Sequence, residues 1–329
     1  MTRLTLTTFN CENLMMRCDF RRLHILDAAR KFTAVSDQSD ADAVDRVFNV
    51  LSEDDRTLTA QALSASQADI CCLQEVENLV TLTAFHNRYL KRWMRRGYSR
   101  RILCEGNDTR GIDVALLARV NVTRVVSHAD LTHRAIGIEP VGSAHWDGRI
   151  FRRDCLEVDI EKEGRTLTLF ICHFKSMNGG RLETRPVRHA EALAVRKLIE
   201  ARFDDPAQAD WAVLGDFNDY LEIDGVPVED HGLGPLIDGG FSVDALMMLQ
   251  ANPMERWTHY YAGGKAYTAL DHIFLSPALA ARNARARIRL MRAGQPLRVQ
   301  RFEGHRFPGV GWVLPKASDH CPLSLTLEL

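Results

Sequence analysis

The chain has 329 residues and a mass of 37.2 kDa, which is enough to bury a large core as one big α/β domain or as two smaller ones. Hydrophobic residues make up 46% and charged residues 26%, a balance that excludes an intrinsically disordered chain. The formal net charge of −1 excludes attraction of nucleic acid or anionic membranes by the molecule as a whole, so a polyanion would have to be bound by a local patch.

Short runs dense in Val, Ile, Leu and Thr recur along the chain and predict strands of a mostly buried sheet. In chain order these strands are Leu4–Phe9, Asp69–Gln74, Asp113–Leu117, Leu156–Ile160, Leu167–His173, Trp211–Gly215, His272–Leu275 and Leu323–Leu327. Helical periodicity lies between them, most clearly over Thr184–Phe203, where Ala190, Leu193 and Ala194 share one face, and also over Arg56–Ala68. Because strands and helices alternate, the predicted class is α/β.

The organisation of the chain favours one domain over residues 1–329. No Pro/Gly-rich linker with a change of composition divides it, and the two strand-rich halves indicate an internal two-fold-like arrangement. Two segments are expected to be additions to the core, one near 17–55 that becomes acidic towards its end and one near 282–307 that carries eight arginines.

The sequence also bears on location. No stretch approaches the roughly 20 apolar residues of a membrane span, and the first residues predict a strand rather than a secretory signal. Several of the eight cysteines lie in apolar runs and no C-x-x-C pair indicates zinc. A reducing cytoplasm is therefore expected, although an even number of cysteines would also permit disulfides outside the cell.

Polar residues that are unsuited to a buried strand gather at the ends of the predicted strands. They are Asn10, Glu75, His173, Asp216, Asn218, Asp271, Asp319 and His320. In an α/β sheet such positions converge on one rim, where ligands bind. The set is mostly carboxylate and carboxamide, and these oxygen ligands suit Mg²⁺ or Mn²⁺ better than Zn²⁺.

These residues lie in seven short motifs. They are Thr8-Phe9-Asn10, Leu73-Gln74-Glu75-Val76, Arg110-Gly111-Ile112-Asp113-Val114-Ala115, His173-Phe174-Lys175-Ser176, Gly215-Asp216-Phe217-Asn218, Leu270-Asp271-His272-Ile273 and Ser318-Asp319-His320. Their order resembles the endonuclease/exonuclease/phosphatase superfamily, which includes deoxyribonuclease I, abasic-site repair nucleases, neutral sphingomyelinases and inositol-polyphosphate 5-phosphatases. The resemblance implies a four-layer α/β/β/α sandwich of two packed mixed sheets flanked by helices, and a metal-dependent phosphoester hydrolase.

The resemblance also implies roles for the residues around a bound metal. Glu75 would be the principal ligand of Mg²⁺ or Mn²⁺, with Asn10 and Asp319 close to the ion. His320 would be the general base or the electrostatic partner of the attacked phosphate, and Asp271 would accept its other ring N–H.

Further residues would then act on the phosphate itself. Asp216 and Asn218 would position the attacking water or hold the pentacoordinate phosphorus. His173 would give a proton to the leaving group or bind the phosphate. Arg110 would clamp another phosphate oxygen through its guanidinium.

Each residue alone has a plainer interpretation, as a strand-end cap, a turn former or a surface ion pair. The prediction of a catalytic site would fail only if these plainer interpretations were all correct at once. Other catalytic classes lack their motifs, because the chain has no G-x-S-x-G, G-x-x-x-x-G-K-[ST] or H-E-x-x-H.

The favoured substrate is a phosphodiester, possibly DNA or RNA, with no obligate protein partner evident. Two basic stretches, Lys91–Arg101 and Arg282–Arg306, are candidates for contacts with nucleic acid. A solvated helix face balanced by the acidic segment is the favoured interpretation of the first, and the second is the better candidate because it lies between two site motifs. His173 stands where repair nucleases carry a tyrosine, which favours a general phosphodiesterase. A phosphomonoesterase, a phospholipid or sphingomyelin phosphodiesterase and a non-catalytic binding module stay open as alternatives.

Overall fold

The computed structural model describes residues 2–15 and 53–329, so most of the segment expected as an addition near 17–55 lies outside the described residues. Two six-stranded sheets dominate this part of the chain. Sheet A contains, in spatial order, β15 (Arg287–Leu290), β16 (Leu323–Glu328), β1 (Arg3–Leu14), β2 (Ile70–Val76), β4 (Asp113–Ala118) and β3 (Arg100–Leu103). Sheet B contains β11 (Val243–Asp244), β14 (Asp271–Leu275), β8 (Trp211–Asp216), β7 (Arg165–His173), β6 (Cys155–Lys162) and β5 (Asn121–Ser127).

The remaining elements are helices and short ribbons. The helices are α1 (Glu53–Ser66), α2 (Leu79–Arg88), α3 (His133–Ile136), α4 (Arg181–Arg202), α5 (Gly234–Ile237), α6 (Ala245–Leu249) and α7 (Pro277–Arg282), with 3₁₀ turns at Leu90–Trp93, Asp238–Gly240 and Pro253–Glu255. One ribbon pairs β9 (Glu222–Ile223) with β10 (Val226–Pro227), and the other pairs β12 (His259–Tyr261) with β13 (Ala266–Thr268).

Each sheet has one parallel pair at its centre, β1 with β2 in sheet A and β7 with β8 in sheet B, and every other pairing within the two sheets is antiparallel. The two sheets therefore repeat one pattern of strand pairing.

Both faces of the central strands are apolar, with a period of two residues. In β2, Ile70 and Cys72 join the core cluster between the sheets, whereas Cys71 and Leu73 pack towards α1 and α2. In β8, alternate residues likewise face the other sheet or the helix α4. Burial of both faces is what a helix-covered sheet requires, and it gives the layer order helix, sheet, sheet, helix. The predicted four-layer α/β/β/α sandwich is confirmed.

Part of the segment near 282–307 lies within sheet A. Its residues Arg287–Leu290 form β15 and pair with β16 at the edge of sheet A. Within residues 2–15 and 53–329, no helix has both the length and the apolar character needed to cross a bilayer.

Candidate active site

The core-facing side of sheet B changes from apolar to polar at one rim. In β8, Ala212 and Leu214 face the other sheet, and Asp216 continues the same face two residues further on. The strand register pairs Asp216 with His173 of β7 and with Asp271 of β14, so the three polar side chains stand side by side. All three are buried.

Gly215 lets β8 pass close to β7 immediately before this row. Its φ of 151° is one that side chains rarely adopt, and a Cβ there would lie 1.9 Å from the carbonyl oxygen of Cys172. The glycine of the Gly215–Asn218 turn is therefore required by the approach of the backbones and not by the turn alone.

His320 is fixed above this row by a carboxylate. Its Nδ1 lies 2.7 Å from Oδ2 of Asp271, and its Nε2 lies 3.8 Å from Oδ2 of Asp216. Burial alone would lower the pKa of His320, but the Asp271 and Asp216 carboxylates outweigh it and hold this pKa well above the usual value. The ring thus has one nitrogen committed to Asp271 and the other facing the row.

Two buried polar side chains hold the backbone around His320 and Asp271. Thr258 Oγ1 accepts hydrogen bonds from the N–H groups of Leu270 and Asp271 at 3.1 and 3.0 Å. Gln295 Nε2 donates to the carbonyl oxygens of Ser318 and His320 at 3.1 and 2.6 Å. Both side chains thus tie the backbone that carries Asp271 and His320 to other segments of the chain.

Asn10 reaches the row from sheet A. Its Nδ2 donates to Oδ2 of Asp216 at 2.9 Å, and its Oδ1 accepts the N–H of Glu12 at 2.9 Å. Oδ1 of Asp216 accepts the N–H of Asn218, also at 2.9 Å. Burial, together with the charge of Asp271, raises the pKa of Asp216 to about 6 against the lowering effects of His320, Asn10 and Asn218.

Glu75 is brought to the rim by a bulge. The pairing of β2 with β4 shifts register between Leu73 and Val76, and Glu75 itself has a φ of 61°. A bulge re-aims the side chain that follows it. Glu75 Oε2 accepts the N–H of Asn13 at 2.8 Å, and burial and the charge of Asp319 raise the pKa of Glu75.

Glu12 and Lys316 also lie beside Asp319, although neither is part of the seven motifs. Glu12 Oε2 accepts the backbone N–H of Asp319 at 2.8 Å, and Glu12 Oε1 lies 2.6 Å from Nζ of Lys316. Burial and the charge of Asp319 raise the pKa of Glu12 to about 7, against the lowering effect of Lys316. The signal that could have found Glu12 is its position two residues after Asn10 in the same strand.

The family assignment comes from comparison with known proteins. Residues 5–286 match the sequence model of the Endonuclease/Exonuclease/phosphatase family. The chain belongs to this family. It is a family of hydrolytic phosphoesterases that commonly use divalent metals. No curated protein matches the chain by sequence.

Solved structures with this endonuclease/exonuclease/phosphatase fold match almost the whole chain. A truncated TDP2 from Caenorhabditis elegans has a TM-score of 0.55 at 16% identity, covering 99% of this chain and 98% of that one. The catalytic domain of human Nocturnin with bound sulfate anion has a TM-score of 0.57 at 14% identity, covering 99% and 94%. TDP2 from D. rerio, complexed with single strand DNA product, has a TM-score of 0.52 at 14% identity, covering 100% of both chains. At these identities the likeness concerns the fold.

His173 and Arg110 each lie against a carboxylate, Asp216 and Asp108 respectively. His173 Nε2 lies 3.5 Å from Oδ2 of Asp216, and burial lowers the pKa of His173 well below its usual value. Arg110 bonds Asp108 through two nitrogens, each at 3.1 Å, and leaves about half of its side chain exposed. Its charge lowers the pKa of Glu75.

The surroundings of the two basic stretches differ from those expected of surfaces that contact a substrate. In Arg282–Arg306, five of the eight arginines have side-chain partners among the described residues. These partners are Asp210 for Arg282, the Ala65 carbonyl for Arg289, Glu255 for Arg292, Asp224 for Arg301 and the Gln295 and Val299 carbonyls for Arg306. The other stretch, Lys91–Arg101, packs beside Arg119, which follows β4 at the end opposite Asp113 and the rim. Most of these cations are therefore paired within the protein or lie away from the rim.

Proposed function

We propose that the protein is a Mg²⁺- or Mn²⁺-dependent phosphodiester hydrolase, most simply a nuclease, in which water attacks phosphorus in line with the leaving oxygen. The observation that carries the proposal is the row of His173, Asp216 and Asp271 with the His320 ring held against it. The proposed site residues are those expected from the sequence, joined by Glu12.

A divalent cation fits the carboxylates at the edge of this row. Glu75 and Asp319 are close enough for the charge of Asp319 to raise the pKa of Glu75, a repulsion that a cation between them would relieve. These two carboxylates, with the Asn10 amide nearby, would hold a hard cation. When bound, the ion would neutralise charge on the phosphate oxygens and stabilise the leaving oxygen.

His320 and Asp271 form the proton-handling pair of the proposal. Asp271 accepts the Nδ1–H, which fixes the tautomer and leaves Nε2 to take a proton from water or to face the phosphate as an imidazolium. Asp216, 3.8 Å from Nε2, orients the water through its carboxylate. Asn10 and Asn218 hold that carboxylate in place.

His173 and Arg110 would bind the phosphate from the other side. Because burial keeps His173 neutral, its contribution is a hydrogen bond rather than a charge. Arg110 is braced by Asp108 and carries the positive charge, which complements a phosphate oxygen.

Two substrate classes have specific support. The D. rerio TDP2 structure with single strand DNA product supports a nucleic-acid substrate on the same fold. A lipid phosphodiester is the second candidate, because Trp312, Val313 and Leu314 are exposed to 61%, 42% and 59% in the loop that leads into the Ser318–His320 segment. Consecutive exposed apolar residues of this size are unusual on a soluble surface.

Hydrolysis of bis(p-nitrophenyl) phosphate tests the proposal. We expect turnover with Mg²⁺ or Mn²⁺, none with EDTA, and a loss of at least about 10²-fold in kcat for His320→Ala. His145→Ala, at an exposed histidine that is not among the proposed site residues, is the matched control and should keep full activity. Unchanged turnover in EDTA or in His320→Ala would overturn the proposal.

A substrate series then separates the classes. Turnover of single-stranded DNA, RNA, a phosphomonoester and sphingomyelin vesicles is compared at equal enzyme concentration. Preference for DNA or RNA supports the nuclease, whereas preference for vesicles that is lost in Trp312→Ser supports the lipid phosphodiesterase.

A further inference from the structure

His259 lies beside the proposed active site but has no role in the hydrolysis proposed above. It begins β12, and its backbone forms an antiparallel bridge with His320. The two imidazole rings are 4.6 Å apart between centroids. The N–H of Tyr260 donates to the Asp319 carbonyl at 3.2 Å, and the N–H of Cys321 donates to the Thr258 carbonyl at 2.7 Å. The ribbon is thus bonded to the Ser318–His320 segment on both sides of His259.

The side chains of His259, Asp319 and His320 present three ligand atoms to one small volume. These atoms all lie within 4.8 Å of one another. His259 Nε2 is 4.0 Å from one carboxylate oxygen of Asp319, and His320 Nε2 is 4.0 Å from the other. Tetrahedral Zn²⁺, with bonds of about 2.0–2.1 Å, needs ligand atoms roughly 3.3 Å apart. Side-chain rotation must therefore shorten separations of 4.0 to at most 4.8 Å by about 0.7–1.5 Å to close the set.

The surroundings favour a cation at this point. Asp271 accepts from Nδ1 of His320 at 2.7 Å, which is the carboxylate–histidine arrangement that supports a metal-ligating imidazole. The Asp216 carboxylate lies 3.8 Å from Nε2 of His320. The Asp319 side chain keeps 36% of its surface exposed, so an ion has a path from solvent.

The donor set differs from the one at Glu75. Two imidazoles and one carboxylate are the ligands of Zn²⁺ and of neighbouring transition metals, whereas Mg²⁺ takes oxygen ligands and keeps its waters. His259 Nδ1 is buried with no hydrogen-bond partner among residues 2–15 and 53–329, so its ring is held by the backbone bridge and by packing on His320.

We propose that His259, Asp319 and His320 form a second cation site, selective for a borderline transition metal such as Zn²⁺. An ion bound there occupies Nε2 of His320 and shares Asp319 with the cation at Glu75. Zn²⁺ therefore competes with Mg²⁺ for Asp319 and blocks the imidazole that the reaction uses. The block of hydrolysis rests on the proposed function, whereas binding of Zn²⁺ does not.

Metal binding by the intact protein tests this site directly. Zn²⁺ is titrated by calorimetry, and Co²⁺ is added as a spectroscopic probe whose visible d–d absorption reports imidazole ligation in a low-coordinate site. We expect tight Zn²⁺ binding by the wild type and a loss of at least about tenfold in affinity, with loss of the Co²⁺ band, in both His259→Phe and His259→Gln. His145→Phe is the matched control and should bind as the wild type does.

Two further measurements separate this site from the Glu75 site. Glu75→Gln should weaken Mg²⁺ or Mn²⁺ binding and keep Zn²⁺ binding within about threefold, since Glu75 is not among the three ligands. The circular dichroism spectrum of each variant shows whether it has folded. Phe and Gln differ in shape, so the two His259 variants need not fail together, and one folded variant is enough for the test. Zn²⁺ affinity unchanged in a folded His259 variant, or no Zn²⁺ binding by the wild type, overturns the second site.

Inhibition of hydrolysis by Zn²⁺ is measured separately. If the protein hydrolyses bis(p-nitrophenyl) phosphate with Mg²⁺, Zn²⁺ should inhibit the wild type at lower concentration than His259→Gln. If no hydrolysis occurs, the proposed function fails while the calorimetric result on Zn²⁺ still decides the site.

Discussion

Nδ1 of His320 lies 2.7 Å from Oδ2 of Asp271, and this contact joins the segment before the last strand of sheet A to the first residue of β14 in sheet B. The carboxylate has two effects on the imidazole. It orients the ring, and with Asp216 it raises the pKa of His320 against the lowering effect of burial.

Replacing Asp271 by Asn should separate these effects. Without the charge of Asp271, His320 loses its proton at lower pH, so the acid limb of the kcat/KM profile should move to lower pH. Asn keeps an oxygen that can accept the Nδ1–H, but the imidazolium loses the negative charge that stabilises it, so kcat should also fall by about 10²- to 10⁴-fold. The measurement is a pH–rate profile of both proteins at saturating metal. Asp130→Asn, at an exposed carboxylate, serves as the control, and an acid limb that stays in place would contradict the assignment of His320 as base.

Thr258→Val should weaken both the fold and the site. The valine removes the acceptor for the N–H groups of Leu270 and Asp271, each of which then costs about 1–3 kcal/mol if it stays unpaired. Because Asp271 shifts with its backbone, kcat should fall more than KM rises. Urea unfolding and steady-state kinetics measure the two effects. Thr123→Val on the edge strand β5 should change neither by much, and an equally mild result for Thr258→Val would show that its hydroxyl is dispensable.

Gly215→Ala should be among the most damaging single changes in sheet B. The added methyl group would meet the Cys172 carbonyl at 1.9 Å, so β7 and β8 must separate and the pairing of Asp216 with His173 is disturbed. Overpacking of this kind costs about 1–3 kcal/mol and occasionally more. Gly239→Ala, at a positive φ but in open space, is the control, and the difference between the two melting temperatures isolates the contact. Equal melting temperatures would show that the strands accommodate the methyl group.

Glu157 should contribute stability that disappears in acid. Burial raises the pKa of Glu157, but the hydrogen bonds of His128 and Arg124 outweigh it, so this pKa is lower in the folded chain than the unfolded value of 4.5. A lowered folded pKa stabilises above the unfolded value and stops doing so as the pH falls through the folded one. Glu157→Gln should therefore cost about 1–3 kcal/mol near pH 7 and progressively less below about pH 4.5.

Urea unfolding at several pH values checks this prediction. Exposed Glu139→Gln should show no such trend. A penalty for Glu157→Gln that is constant across the acid range would mean that packing, rather than charge, is responsible.

The apolar strands were predictable from the sequence, and the edge strands were not. All eight predicted runs are strands, because each buries both faces and so reads as a dense apolar segment. The strands β3, β5 and β15 expose polar residues along sheet edges, as in Arg287–Leu290, and lack that signal. The helix over 181–202 was found within three residues at its start, since its apolar face is periodic.

Most residues of the candidate site were predictable because they lie at strand ends. The contacts that the sequence did not predict have physical reasons. Asn10, His173, Asp216 and Asp271 continue the core-facing period of their strands into the rim, so a local pattern marks them. His259 is brought to His320 by a bridge between segments 61 residues apart in sequence, which no local pattern encodes. Most partners of the arginines in Arg282–Arg306 are also distant in sequence. The density of arginines alone therefore suggested that more of them were available to a substrate than the structure shows.

The hydrogen bond from Asn10 to Asp216 crosses from one sheet to the other. Half of the rim is therefore carried by each sheet, and no single layer contains a working set of groups. Any sliding or rotation of the layers would pull the rim apart while leaving each sheet's own ladder intact. Hydrolytic activity should then depend on the alignment of the two sheets. During mild denaturation it should be lost before the strands themselves unfold.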